Sequence, residues 1–108
     1  MSVQSILAPL IQNQIFTDEE TAVRELVHSY IQRQIERLRG EIQTLEDKYG
    51  MGYEQFDAYL RERSQLLVSD FLTSEERHLL GQAVMEGEED WLEWKAQREL
   101  LDSWLDLL

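Results

Sequence analysis

The chain has 108 residues, of which 43% are hydrophobic, so it can form one domain with a modest core. Its formal net charge of −12 argues against direct binding to nucleic acid or to anionic membranes, and favours a basic protein as partner. The absence of cysteine excludes disulfides and thiolate chemistry, and no apolar run approaches the roughly 20 residues of a membrane span. We therefore expect a single helical domain over residues 1–108, cytoplasmic and without a cofactor.

Helix-breaking residues are rare, since Pro9 is the only proline, and long helices are therefore favoured over short strands. A short helix is predicted over residues 5–15. Thr17 and Glu20 have the spacing of a capping box, which predicts that a second helix begins at residue 18 and continues to 49. At 1.5 Å per residue this helix would be about 48 Å long.

The second helix carries apolar residues at the spacings of three and four that are typical of a helix–helix seam. The seam consists of Val23, Val27, Ile31, Ile35, Leu38, Ile42, Leu45 and Tyr49. A compact domain of this size has a radius of gyration near about 13 Å, so it cannot wrap so long a helix. We therefore expect either an extended hairpin or a second copy to cover the seam.

The second half of the chain predicts two more helices. One runs over 53–67, after a turn at residues 49–52. The other begins near 74, where Thr73 and Glu76 form a second capping box, and continues almost to the end. Its main seam consists of Leu80, Val84, Gly87, Trp91, Trp94, Arg98, Leu101, Leu105 and Leu108. A second apolar stripe, formed by Leu92, Ala96, Leu100 and Trp104, predicts contact with more than one neighbouring helix.

The predicted fold is all-α: an elongated hairpin or bundle of about four helices, two of them long, completed by homodimerisation. The residues expected at the dimer interface are apolar and lie on the two long helices. They are Ile31, Ile35, Leu38, Ile42, Trp91, Trp94, Leu101 and Trp104.

The segment EGEEDWLEWK (86–95) concentrates five carboxylates and two tryptophans. It can be a solvated helix face, a surface for a basic partner, or one half of a divalent-metal site, and the last requires a second acidic helix. We take the partner-binding residues to be Glu86, Glu88, Glu89, Asp90 and Glu93. Arg33, Arg37 and Arg39 form the one tight basic group, which is expected to pair with this strip. No catalytic residue or metal ligand is assigned.

Three functions remain open at this point. The preferred one is a non-enzymatic interaction protein that occludes a basic partner. The second is a carboxylate-metal all-α enzyme that hydrolyses nucleotides, for which a melting temperature raised by Mg²⁺ or Mn²⁺ would be the first sign. The third is a purely structural dimer.

Residues 10–35, LIQNQIFTDEETAVRELVHSYIQRQI, resemble the two-helix part of ribbon-helix-helix antitoxins and regulators. Ile15, Phe16 and Thr17 occupy the turn of that motif, and Glu20, Ala22, Val23 and Arg24 occupy its matching helix positions. The segments KYGMGYEQFDAYLRE (48–62) and EEDWLEWKAQRELL (88–101) resemble small acidic antitoxin-like proteins of bacterial toxin–antitoxin pairs. The DNA-reading strand has no counterpart, because MSVQS is short and uncharged. The resemblance thus implies a toxin-like basic partner rather than DNA.

Overall fold

Four helices form the part of the chain that the computed structural model describes, residues 2–108. They are α1 (Val3–Gln12), α2 (Glu19–Tyr49), α3 (Tyr53–Leu67) and α4 (Ser74–Leu105). No strand occurs in this range, and the molecule measures 73 × 23 × 19 Å. The predicted elongated all-α fold is confirmed, with α1 beginning two residues earlier and ending three residues earlier than expected.

Local side chains set the helix ends. The α4 capping box is confirmed, because Thr73 Oγ1 accepts from the Glu76 amide at 3.1 Å and the Glu76 carboxylate accepts from the Thr73 amide at 3.3 Å. At α2 the predicted Thr17 cap is wrong. Asp18 has the extended backbone of a cap residue, and its Oδ1 accepts from the Thr21 amide at 2.8 Å. The hydrogen bond from Thr21 lowers the pKa of the Asp18 carboxyl.

The turn after α2 also behaves as the sequence predicts. Gly50 adopts a left-handed conformation, with φ +67°, and its amide donates to the Glu46 carbonyl at 2.7 Å. The chain then enters α3 after only three residues. Helix α3 continues along the molecule where α2 stops, since both helices pack mainly on α4.

Helix α4 runs antiparallel to both α2 and α3. Near its middle Asp90 meets Lys48 at the end of α2, and near its C-terminus Trp104 meets Tyr30, with ring centroids 5.8 Å apart. Its N-terminal half lies against α3, while α1 packs only on α2. The molecule is therefore two helices thick along its length, which explains why it is so long.

The core lies where α2, α3 and α4 meet. It is built from the buried residues Leu45, Phe56, Leu60, Val84 and Trp94. The Phe56 and Trp94 rings are nearly parallel, with centroids 5.6 Å apart, and the centroid of the Tyr49 ring lies 4.1 Å from that of Phe56. Gly87 lets α3 approach closely, since a β-carbon there would lie 2.8 Å from Leu60 Cδ1.

The residues assigned to a dimer interface lie mainly inside the single chain. Ile31, Ile35 and Leu38 are buried on α2, and Trp94 of α4 is 0% exposed and packs against Phe56 of α3. The most exposed of these four residues, Ile31, is only 8% exposed, so they offer little surface to a second copy, which corrects the predicted interface. The other four are half-buried: Ile42, Trp91, Leu101 and Trp104. The physical reason is that the chain forms its own hairpin, so α4 supplies the apolar surface that a second α2 was expected to supply.

Candidate partner-binding surface

The acidic strip divides between two faces of α4. Lys48 Nζ donates to Glu86 at 2.8 Å and to Asp90 at 2.7 Å, and the Tyr49 hydroxyl also donates to Asp90. Glu86 and Asp90 therefore face α2, where one ammonium offsets their charge. Arg33, Arg37 and Arg39 were expected to pair with the strip, but within residues 2–108 none of them forms an ion pair with it. Arg37 instead pairs with Glu41 on its own helix at 2.9 Å.

The Asp90 site shifts two pKa values in opposite directions. Partial burial alone would raise the pKa of the Asp90 carboxyl, but the hydrogen bonds from Lys48 and Tyr49 outweigh it and hold the pKa below its ordinary value. Burial and the hydrogen bond to Asp90 raise the pKa of Tyr49 to about 12. These contacts therefore favour the ionised form of Asp90, which accepts hydrogen bonds from the neutral Tyr49 phenol and from the Lys48 ammonium.

Of the remaining three acids, Glu88 and Glu89 point away from α2, whereas Glu93 borders it, because the Gln97 amide donates both to Glu93 and to Glu41 of α2. Glu88 and Glu89 are exposed, and Glu93 is exposed while accepting a 3.3 Å hydrogen bond from the Gln97 amide. Within residues 2–108 these three carboxylates make no ion pair shorter than 4.0 Å. They are thus the part of the strip whose charge a basic partner could neutralise.

An apolar stripe runs between these carboxylates. Leu92 is 60% exposed and Leu100 is 44% exposed, with the small exposed Ala96 between them. These are residues of the second stripe that was predicted to meet another helix, yet α2 and α3 both pack on the other side of α4. We define the outer face of α4 as this stripe and its acidic border: Glu88, Glu89, Leu92, Glu93, Ala96 and Leu100.

A groove of about 520 Å³ lies beside the outer face, between α3 and α4. Leu60, Trp91 and Leu92 form its apolar floor, and Glu88 and Arg61 stand at its rim. The Trp91 indole nitrogen is buried and donates to no protein atom. The groove is large enough for one or two apolar side chains of a docked helix.

Sequence reasoning missed Lys48, the contact between Tyr49 and Asp90, and the α3 side of this surface. Lys48 falls outside the arginine cluster and follows no periodic pattern. The signal that could have found it is the antiparallel register of α2 and α4, which brings the end of one opposite the middle of the other. The pairing of the two helices had to be known first.

No group of three or more His, Asp or Glu side chains within residues 2–108 is arranged to hold a metal ion. None of the helices described there is long and apolar enough to cross a membrane.

Comparison of the sequence with models of known protein families and with curated proteins gives no match, and comparison with solved structures gives none either.

Proposed function

We propose that this chain is a non-enzymatic protein–protein interaction module that holds a basic partner on the outer face of α4. One observation carries the proposal: Glu88, Glu89 and Glu93 have no cationic partner among residues 2–108 and border the exposed Leu92. A carboxylate-lined apolar stripe matches an amphipathic helix with basic flanks. The resemblance to antitoxin-like proteins supports the same class of partner.

The charged and apolar parts of this surface would have different roles. The net charge of −12 steers a basic partner towards the chain and raises the association rate. Leu92 and Leu100 anchor the bound helix by removing apolar surface from water, which slows dissociation. The chain would then act by occluding the partner's basic surface.

Glu86 and Asp90 contribute less to this binding than the sequence suggests. Both already contact Lys48 within 2.8 Å, so a partner's lysine or arginine must compete with an existing ion pair. Glu88, Glu89 and Glu93 have no such competitor in the part of the chain that the structure describes. We therefore restrict the proposed surface to the outer face.

Affinity capture from the native host, at low and then high salt and with mass spectrometry, is the first experiment. A stoichiometric basic protein whose capture weakens with salt supports the proposal, because screening removes exposed charge attraction. Recovery of the chain alone at both salt concentrations contradicts it.

Glu89→Lys with Glu93→Lys then tests the surface itself. The matched control is Glu36→Lys with Glu62→Lys, which makes the same charge change at exposed positions on α2 and α3. We expect at least a tenfold fall in the association rate for the first pair, and a smaller fall for the control. Equal effects would show that only net charge matters and would reject the outer face as the site.

A further inference from the structure

The N-terminal end of the molecule differs from the rest in charge and in packing. Residues 2–17 contain no charged side chain, so α1 is wholly uncharged. Helix α1 has ten residues, a length that is only marginally stable without tertiary contacts. It packs against α2 alone and buries a single residue, Leu7. The contacts within one chain are therefore few for a helix of this length.

An exposed apolar stripe on α2 adjoins α1. Leu26 is 42% exposed, Val27 is 53% exposed and Tyr30 is 51% exposed, although all three lie between the buried Ala22 and the buried Ile31. Helix α4 does not cover them, because it ends at Leu105, one residue after the Trp104 that meets Tyr30. Together with exposed residues of α1 they form the N-terminal apolar patch: Val3, Ile6, Val23, Leu26, Val27 and Tyr30.

Charge determines which occupant this patch fits. Residues 1–33 carry four acidic and two basic side chains, whereas residues 34–108 carry eighteen and eight. A basic partner would find little attraction at this end and much more elsewhere. Two copies of the chain, in contrast, repel one another least when their N-terminal ends meet and their acidic regions point apart.

We infer that a second copy of this chain covers the N-terminal apolar patch. The two α1–α2 pairs would pack across a two-fold axis, so that the same residues meet their own counterparts. Four helices would then enclose the exposed stripe and Leu7, and the acidic ends would project in opposite directions. This interface differs from the one predicted along the α2 and α4 seams, and it does not depend on the proposed function.

Salt distinguishes this interface from the outer face of α4. Added salt screens the repulsion between two chains of charge −12, so the dimer should strengthen or stay unchanged. Binding of a basic partner weakens under the same conditions. Failure of one proposal can therefore be recognised without reference to the other.

Sedimentation equilibrium of the full chain over a wide range of concentration and salt is the test. We expect the unmodified chain to dimerise, Val27→Asp to weaken the dimer at least roughly tenfold, since each dimer carries the change twice, and Leu92→Asp to leave it unchanged. Both substitutions introduce the same charge at a mostly exposed side chain, 53% against 60%. Circular dichroism confirms that the variants remain helical.

Cysteine cross-linking gives a second readout, because the chain has no cysteine of its own. Leu26→Cys should form a covalent dimer on oxidation faster than Leu92→Cys does.

An unmodified chain that stays monomeric in high salt overturns the inference, and so does a dimer that Val27→Asp and Leu92→Asp affect equally. A monomer that binds neutral phosphatidylcholine vesicles through Val27 would overturn it in favour of a lipid surface.

Discussion

Lys48 Nζ on α2 lies 2.7 Å from a carboxylate oxygen of Asp90 on α4, 42 residues further along the chain. Tyr49, the last residue of α2, donates to the same carboxylate. The contact joins the end of one long helix to the middle of the other and so helps to define their register. It also separates the acidic strip into a paired part beside α2 and an unpaired part on the outer face.

Asp90→Asn should reduce the acid sensitivity of folding. The folded-state pKa of Asp90 is lowered from 3.8, so the stability it contributes is present above that value and is lost as the pH falls through the lower folded pKa. We expect the variant to be less stable than the unmodified chain at neutral pH, with the difference shrinking below about pH 4. Urea unfolding at a series of pH values measures this.

Glu89→Gln is the control for that experiment, because Glu89 is exposed and makes no ion pair within residues 2–108. It should follow the unmodified chain at every pH. If Asp90→Asn behaves as this control does, the Lys48–Asp90 contact contributes nothing measurable to folding.

Tyr49 should ionise at a higher pH than an ordinary tyrosine. Its pKa is raised to about 12 in the folded chain, against 10.0 ordinarily, so its proton is held more tightly in the folded state. The associated stability is present below pH 10.0 and is lost as the pH rises towards 12. Tyrosinate absorbance during an alkaline titration measures this, and Tyr49→Phe should remove the component with a pKa of about 12. If Tyr49→Phe instead removes an absorbance component with a pKa near 10.0, the raised pKa does not belong to Tyr49.

Trp94→Ala should destabilise the chain by about 3–5 kcal/mol, because the indole is 0% exposed and packs against Phe56 in the central core. Leu92→Ala, two residues away on the exposed stripe, should change the free energy of unfolding by less than about 0.5 kcal/mol. Chemical denaturation monitored by circular dichroism compares the two. A large fall in the free energy of unfolding of monomeric Leu92→Ala would show that the chain itself covers the outer face.

Two glycines in helix interiors should respond in opposite ways to alanine. Gly40 has no atom within 4 Å of an added β-carbon, so Gly40→Ala should stabilise the chain by about 0.5–1 kcal/mol. At Gly87 the β-carbon would meet Leu60 Cδ1 at 2.8 Å, in a core where Leu60 is only 9% exposed. We expect this overpacking to exceed the gain in helix propensity and to lower the melting temperature. A higher melting temperature for Gly87→Ala would mean that α3 can shift away.

The sequence by itself predicted the local features of this protein. The capping box of Thr73 and Glu76 and the turn at Gly50 gave the helix boundaries, since these signals act over three or four residues. The apolar spacing of α2 identified Ile35 and Leu38 as residues that must be covered. Each of these inferences needs only the geometry of a single helix.

Tertiary structure alone decided which surface covers which residue. The sequence spacing of Ile35 and Trp94 would be the same whether a second chain or the chain's own hairpin buried them. In the structure, the hairpin buries both. The antiparallel register likewise brings Lys48 to Asp90, which leaves Glu89 and Leu92 outward. Helix periodicity gives the direction of a side chain on its own helix, but not the neighbour it meets, because that depends on how the helices pair across the whole chain.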